Sequence, residues 1–332
     1  MRSSQTSARQ ASRPRVALSV ILVALLAGAQ ETTLRSRSNL VLVPTLVKDQ
    51  QGGIVYGLEA KDFLVEDNGV EQTVELDQAP EGQPLSLVLA IQTGGRANYE
   101  FPRMQGLRTM LGPVFAMGTA RVAIVEFDGH VRLARNFSSD ESRIDADLAH
   151  LEAGGNGASI LDAILYSIDL LKKEPEQRQR VLLLISETRD HGSKEKILDA
   201  VAAIARTNAT MYALAFSPSL SNILDTGRGT NLDEMHEGIN FLELGQTAAQ
   251  AMRKNVASTV AAMTGGEYQL FATRKKFEVR MNDFTNHLHS RYLLSFAPKS
   301  PSPGLHQIRV RLKDAPNAPV LARTRYWAEG AK

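Results

Sequence analysis

"PLSLVLAIQTGGRAN", residues 84–98, is the stretch that decides the fold. Residues 85–91 are almost all apolar, which is typical of a parallel strand that is covered on both faces. The strand ends abruptly at two glycines, and an α/β protein usually places its functional loop at the carboxyl end of such a strand. The loop here offers Gln92 and Arg96 but no carboxylate. The sequence therefore predicts a ligand-site loop without obvious ligand chemistry.

Strand and helix patterns alternate from this point on. Two further apolar runs, 181–185 and 211–216, predict the other central parallel strands. Residues 120–127 and 131–137 predict a hairpin, with 131–137 as the antiparallel edge strand. Helical patterns and one short strand (267–271) fill the rest, the helices being predicted at 99–111, within 138–155, at 159–173, 194–206 and 241–263, and within 275–290. The fold class is α/β, with a doubly wound, mostly parallel sheet.

The segments on both sides of this α/β region, 84–290, have sequence patterns typical of β-strands. Residues 39–48 predict a strand, which Pro44 places at a sheet edge, and Asn68-Gly69 predicts a hairpin turn. The tail, 291–327, contains three strand runs, the last of them at 319–327. Because an isolated hairpin is marginal in water, we expect 39–80 and 291–327 to pair into one small β-sandwich.

The N-terminus has the layout of a secretory signal peptide. Four arginines precede the apolar run 16–28, and Ala27-Gly28-Ala29 offers a small-x-small cleavage site. The run is shorter than the roughly 20 apolar residues that cross a bilayer, so we expect residues 1–29 to be removed and to leave no stable membrane span. The alternative is an uncleaved N-terminal anchor. Either reading predicts a secreted or periplasmic protein.

Composition excludes several classes of function. The 332 residues are 43% hydrophobic and 22% charged, which is typical of a globular protein. A formal net charge of +2 argues against nucleic acid as the partner. The chain has no cysteine, which excludes disulfides, cysteine metal sites and thiol catalysis.

Candidate catalytic and nucleotide-binding motifs are incomplete. The glycines at 94–95 and 154–157 match no phosphate-binding pattern, and they are better explained as tight turns between strands and helices. Ser186 and His191 lack the G-x-S-x-G turn of a hydrolase. The connection 217–241 is unusually long, and loops of that length are either functional or disordered. No enzymatic activity is predicted.

The element order and the loop sequences together resemble the von Willebrand factor type A domain. The resemblance is closer to the bacterial VWFA-related family, in which β-rich segments flank the A domain, and it extends from about residue 39 to 327. The segments that carry it are "GLEAKDFLVEDNGVEQ", "PLSLVLAIQTGG", "NGASILDAI", "LLLISETRDHGS", "ATMYALAF", "TGGEY" and "LHSRYLLSFAPK". The resemblance implies a doubly wound sheet whose carboxyl edge binds protein partners.

That family holds a metal ion at the carboxyl edge through Asp-x-Ser-x-Ser, a threonine from a second loop and an aspartate after the fourth strand. The matching positions in this chain are Gln92, Gly94 and Arg96, Ala158 with Ser159 beside it, and Glu187. One carboxylate is retained, and a permanent cation is added. Because Mg²⁺ requires hard oxygen ligands, we expect no metal cofactor and a degenerate adhesion site.

The resemblance places the partner-binding loops at Gln92, Gly94, Arg96, Ser159, Glu187 and Asp190. Asp190 either adds a second carboxylate to the rim or is a solvated loop residue. Arg96 either pairs with Glu187 or Asp190 in place of the metal or points into solvent.

The sequence therefore predicts a non-enzymatic, adhesion-type interaction module with an unidentified protein partner. The alternatives are a structural scaffold of a cell-envelope assembly and Mg²⁺-dependent ligand binding at the modified site. An apolar patch on the loops that carry Gln92, Ser159 and Glu187 would favour the interaction module over the scaffold.

Overall fold

The strands and helices of the chain follow the predicted alternation. The computed structural model describes residues 40–77, 83–104, 106–116, 118–216, 246–299 and 302–329, with the backbone alone at 246–248. All the strands and helices given below belong to one unit, Val41–Lys332. The predicted signal segment 1–29 and the connection 217–241 lie outside the described residues.

The strands are β1 (Val41–Val47), β2 (Phe63–Asp67), β3 (Val70–Gln72), β4 (Glu75–Asp77), β5 (Leu85–Gln92), β6 (Arg121–Phe127), β7 (Val131–Ser138), β8 (Gln179–Glu187), β9 (Thr210–Phe216), β10 (Tyr268–Phe271), β11 (Tyr292–Phe296), β12 (Gly304–Leu312), β13 (Val320–Ala322) and β14 (Arg325–Ala328). The α-helices are α1 (Ala97–Glu100), α2 (Leu107–Met110), α3 (Gly112–Ala116), α4 (Glu141–Ala149), α5 (Ile160–Lys172), α6 (Ile197–Ala205), α7 (Gln246–Lys254), α8 (Val256–Thr264) and α9 (Arg274–His289). Among the described residues, none of the helices is long and apolar enough to cross a membrane.

A six-stranded sheet with the order β10-β9-β8-β5-β6-β7 forms the centre of the α/β region. All neighbouring strands are parallel except β6 and β7, so the predicted antiparallel edge strand is confirmed. Every residue of β5 is buried, and alternate side chains enter different cores. Val88 and Ala90 pack with α5, α6 and α8, whereas Leu87 and Leu89 pack with α2, α4 and α9. Helices on both faces explain the continuous apolar run of this strand.

The single helix predicted at 99–111 is wrong. The structure has the four-residue helix α1, a 3-10 turn at Phe101–Met104 and then α2 and α3. Pro102 lacks the N–H that a continuous α-helix needs, and Gly106 has a φ of 95°. Pro113 lies in the first turn of α3, where proline is tolerated.

The long helix predicted at 241–263 is also interrupted. Its first residues, 241–245, lie outside the described part of the chain. The rest forms α7 and α8, which are separated at Asn255. Asn255 has extended backbone angles, and its side chain accepts a hydrogen bond from the Ser258 N–H at 3.0 Å. It therefore caps a new helix instead of continuing the first one.

Strands from the two end segments pair with each other in two four-stranded sheets. One sheet has the order β13-β1-β11-β4, and the other has the order β14-β12-β2-β3. Their apolar side chains form one hydrophobic cluster, which includes Val43, Phe63, Leu294 and Ile308. The Asn68-Gly69 turn joins β2 to β3 with φ angles of 49° and 82°, as a tight hairpin requires.

Two details of these sheets differ from the prediction. β1 is an inner strand, so Pro44 is not at an edge. Only Thr45–Val47 pairs with β13, so no β13 residue stands opposite Pro44, and its missing N–H is tolerated. The single strand run predicted at 319–327 is two strands, β13 and β14, which belong to different sheets.

A buried ion cluster joins these sheets to the six-stranded sheet. The Glu267 carboxylate contacts Lys48 Nζ at 3.0 Å and His287 Nδ1 at 2.6 Å, and Arg291 Nη2 lies 3.7 Å away. Burial raises the pKa of Glu267, but the hydrogen bond from His287 and the neighbouring positive charges outweigh it and lower the pKa to about 2. The cluster therefore stabilises the ionised carboxylate strongly.

Candidate functional site

The carboxyl ends of β5, β6 and β8 meet at one edge of the six-stranded sheet, where residues 92–99, 128–130, 154–159 and 187–193 form a surface that we call the loop platform. Backbone hydrogen bonds join its segments: Thr93 N–H donates to Phe127 O at 2.7 Å, Gly154 N–H to Thr93 O at 2.8 Å, and Gly95 N–H to Gly155 O at 2.9 Å. These bonds replace the missing strand pairing beyond the sheet, so the platform has a defined backbone conformation.

The start of α5 is held by two other loops. Ala158 and His191 exchange two backbone hydrogen bonds of 2.9 Å. Ser159 N–H donates to Asp128 O at 2.8 Å, and Ile160 N–H donates to Asp190 Oδ1 at 3.0 Å. The N–H groups that have no partner within a helix therefore find acceptors on neighbouring loops. Asp190 is half-buried and caps α5 from a loop 30 positions further along the chain. Neither of the two sequence-based alternatives for Asp190 included this role.

Gln92 and Glu187 make direct contact in the buried part of the platform. Gln92 Nε2 donates to Glu187 Oε1 at 3.0 Å, and Gln92 Oε1 accepts from the Glu187 backbone N–H at 2.8 Å. Gln92 Nε2 also donates to Gly94 O at 3.0 Å. His191 Nε2 lies 3.4 Å from the same Glu187 oxygen. Two positions that the resemblance assigns to the site are thus in contact, and the amide of one donates to the carboxylate of the other.

Gly94 lies in a position with no space for a side chain. A Cβ atom placed there would lie 2.3 Å from Asp128 Cβ and 2.7 Å from Gly157 O. Contacts this short force the backbone to shift. The close approach of two loops, rather than a turn conformation, therefore requires glycine at position 94.

Arg96 does not replace the metal. Its side chain is exposed, and among the described residues no hydrogen bond or ion pair joins it to Glu187 or Asp190. The predicted ion pair is therefore wrong, and the solvent-pointing alternative is the one observed. Other groups bind these carboxylates instead: Gln92 Nε2 donates to Glu187 Oε1, and Ile160 N–H and Ser193 Oγ donate to Asp190 Oδ1.

Two aspartates of the platform have shifted pKa values. Burial raises the pKa of Asp128, but hydrogen bonds from the Gly155 and His130 N–H groups outweigh it and lower the pKa overall. Burial raises the pKa of Asp190, and the hydrogen bonds from Ser193 and Ile160 N–H only partly oppose this effect. Both carboxylates accept hydrogen bonds from backbone N–H groups of the loops.

The surroundings of Ser159 and Ser186 show whether either hydroxyl is arranged to act as a nucleophile. Both side chains are buried. Ser186 Oγ donates to the backbone oxygen of Glu187 at 2.9 Å, and Ser159 Oγ has no hydrogen-bond partner among the described residues. Neither hydroxyl forms the exposed serine–histidine pair that acyl transfer requires.

Sequence reasoning missed the part played by Asp128. The Asp128-Gly129 pair predicts a turn, and the 2.7 Å hydrogen bond from His130 N–H to Asp128 Oδ1 belongs to that turn. The second bond, from Gly155 N–H to Oδ2 at 2.8 Å, comes from a residue 27 positions away. No local signal in the sequence predicts that contact.

Comparisons with known proteins agree with this fold. Residues 97–193 match the model of the family "von Willebrand factor type A domain", so the chain contains a domain of this type. The comparison with curated proteins gives no significant match.

Solved structures with a similar fold include an aerotolerance-related membrane protein from Bacteroides fragilis (13% identity, 61% of this chain and 98% of the other, TM-score 0.41). Another is a mutant of the PilB minor pilin from Streptococcus sanguinis, at 11% identity over 75% of this chain and 88% of the other, with a TM-score of 0.44. A third is proximal thread matrix protein 1 from the mussel byssus, at 11% identity over 67% of this chain and 49% of the other, with a TM-score of 0.45. At these identities and scores we draw no functional conclusion from the similarities.

Proposed function

From the von Willebrand factor type A domain that residues 97–193 match, we propose that the chain is a non-enzymatic protein-interaction module that binds its partners through the loop platform. One observation carries the proposal. Hydrogen bonds fix the backbone of the platform, and exposed side chains project from it. Tyr99 is 79% exposed, and Arg96 lies beside it on the same short helical segment. Tyrosine and arginine are the residue types that most often dominate binding energy at protein interfaces.

Photocrosslinking tests this proposal. We place p-benzoylphenylalanine at Tyr99 of the full chain and, as a control, at Tyr166, an exposed tyrosine of α5 outside the platform. Irradiation in the envelope or secreted fraction of the source organism is expected to give a discrete protein adduct from position 99 and none from position 166. Equal labelling from both positions, or no adduct from position 99, would overturn the proposal.

The proposal includes binding without a metal ion. Three features support this: no side-chain oxygen is present at positions 94 or 158, Gln92 donates to the one retained carboxylate, and a Cβ at position 94 has no space. Within the described residues, no group of three or more histidine or acidic side chains is arranged to hold a metal. Mg²⁺ and Mn²⁺ titrations are expected to show no binding by calorimetry, and EDTA is expected to leave the melting temperature unchanged. Micromolar binding of either ion would contradict this part.

The proposal also includes export of the chain to the periplasm or the medium. It rests on the basic start, the apolar run 16–28 and the small residues before Gln30. N-terminal sequencing of the protein from the envelope fraction is expected to begin at Gln30. A cytoplasmic protein that retains Met1 would contradict it.

A further inference from the structure

A cleft of about 740 Å³ opens at one end of the two four-stranded sheets. It lies between the turn that follows β1 and the turn that joins β12 to β13, and none of its lining residues belongs to the loop platform. The volume falls within the range of about 300–1,000 Å³ typical of ligand sites. The proposed function does not use this cleft.

The floor of the cleft is apolar. Val55, Leu58, Leu312 and Ala318 line it, and all four also belong to or pack against the hydrophobic cluster of the two sheets. The cleft therefore leaves part of the core surface open to water. Covering that surface with an apolar group is favourable because it removes apolar area from water.

The rim of the cleft is acidic. Asp49, Asp62 and Asp314 line it, and the one cation among the lining residues is Lys48, whose Nζ is bound to Glu267 Oε2 at 3.0 Å. One oxygen of Asp49 and one of Asp62 accept backbone N–H groups of their own turns. The other oxygen of each, and both oxygens of the exposed Asp314, have no donor among the described residues. Lys61, which neighbours Asp62 but does not line the cleft, is paired with Glu59 at 2.8 Å. The described residues that line the cleft thus offer free acceptors and no free cation.

We propose that this cleft binds a short peptide segment of a partner in which a lysine or arginine lies next to an apolar residue. The apolar side chain covers the floor formed by Leu58 and Ala318, while the cationic group lies between Asp62 and Asp314. An apolar floor provides the contact area, and the acidic rim selects the charge. An acidic segment would place like charges against the rim and is rejected.

The test measures binding of three labelled peptides to the full chain: N-acetyl-Leu-Lys-Leu-amide, the same peptide with glutamine, and the same peptide with glutamate. We expect measurable binding in the order lysine, glutamine, glutamate at low salt. The double variant Asp62→Asn/Asp314→Asn is expected to weaken the affinity for the lysine peptide about tenfold, because it removes both charges that face the cationic group. Asparagine keeps an acceptor for the Glu59 N–H, so the turn is retained.

Asp169→Asn is the matched control, because Asp169 is an exposed aspartate of α5 outside the cleft. It is expected to leave the affinity unchanged. Ala318→Trp fills the floor and is expected to abolish binding of all three peptides. Equal binding of the lysine and glutamate peptides, or an unchanged affinity in the double aspartate variant, would overturn the inference.

Discussion

Replacing Glu267 by glutamine tests how much the buried ion cluster stabilises the fold. The exposed fractions of the Glu267, Lys48 and Arg291 side chains are 7%, 18% and 5%, so the cations cannot regain their hydration when the carboxylate is removed. The pKa of Glu267 falls from 4.5 to about 2, which corresponds to about 3 kcal/mol of differential stabilisation. Breaking a buried pair typically costs about 3–5 kcal/mol. We expect Glu267→Gln to lower the free energy of unfolding at pH 7 by about 3 kcal/mol.

The pH dependence of this loss follows from the direction of the pKa shift. The folded-state pKa of Glu267 lies below the unfolded value, so its contribution is fully present above about pH 5 and is lost as the pH falls from 4.5 towards 2. The stability difference between the wild-type chain and Glu267→Gln should therefore shrink over that range. Other carboxyl groups titrate in both proteins and cancel in the difference.

The assay is urea denaturation from pH 7 down to the lowest pH at which both proteins fold, followed by circular dichroism and by fluorescence of the single tryptophan, Trp327. Glu278→Gln serves as the matched control. It removes an exposed partner of Arg274 on the same helix as His287 and should cost no more than about 1 kcal/mol. A loss below 1 kcal/mol for Glu267→Gln, or a loss that does not change with pH, would refute the reasoning.

Two glycine positions give further predictions. Gly94→Ser restores a family hydroxyl but places Cβ 2.3 Å from Asp128 Cβ, so we expect about 1–3 kcal/mol of destabilisation in urea and no Mg²⁺ binding; a stable, Mg²⁺-binding variant would contradict this. Gly266→Ala places Cβ 1.8 Å from Met211 O and should abolish soluble expression, whereas Gly112→Ala has nothing within 4 Å and should express normally. Equal yields of these two alanine variants would show that the β9–β10 approach is looser than described.

Long apolar runs and helical periodicity in the sequence predict most of the fold. The buried runs that became β5, β8 and β9 are apolar on both faces, and that property depends only on which residues are present. The interruptions were not predicted correctly. Asn255 separates α7 from α8 because its side chain can cap a helix, but an asparagine within a helical pattern also fits an uninterrupted helix.

The sequence predicts that residues of the candidate site lie close together, but it does not predict which contacts they make. The resemblance placed Gln92 and Glu187 on neighbouring strand ends, and their side chains do meet. Of the two alternatives for Arg96, the ion pair does not form, and Glu187 Oε1 accepts a hydrogen bond from Gln92 Nε2. Which donor reaches Glu187 Oε1 depends on distances that no local pattern contains.

The sequence by itself determined the α/β class, the alternation of strands and helices, and the loops at the carboxyl edge, because burial periodicity and turn residues are local properties. Tertiary structure alone decided which charges are partnered. Lys48 and Glu267 are 219 positions apart and meet at 3.0 Å, while Arg96, four residues from Gln92, remains in solvent. Ion pairs and long-range caps depend on the folded path of the backbone, and the same arginine or aspartate is compatible with either outcome until that path is known.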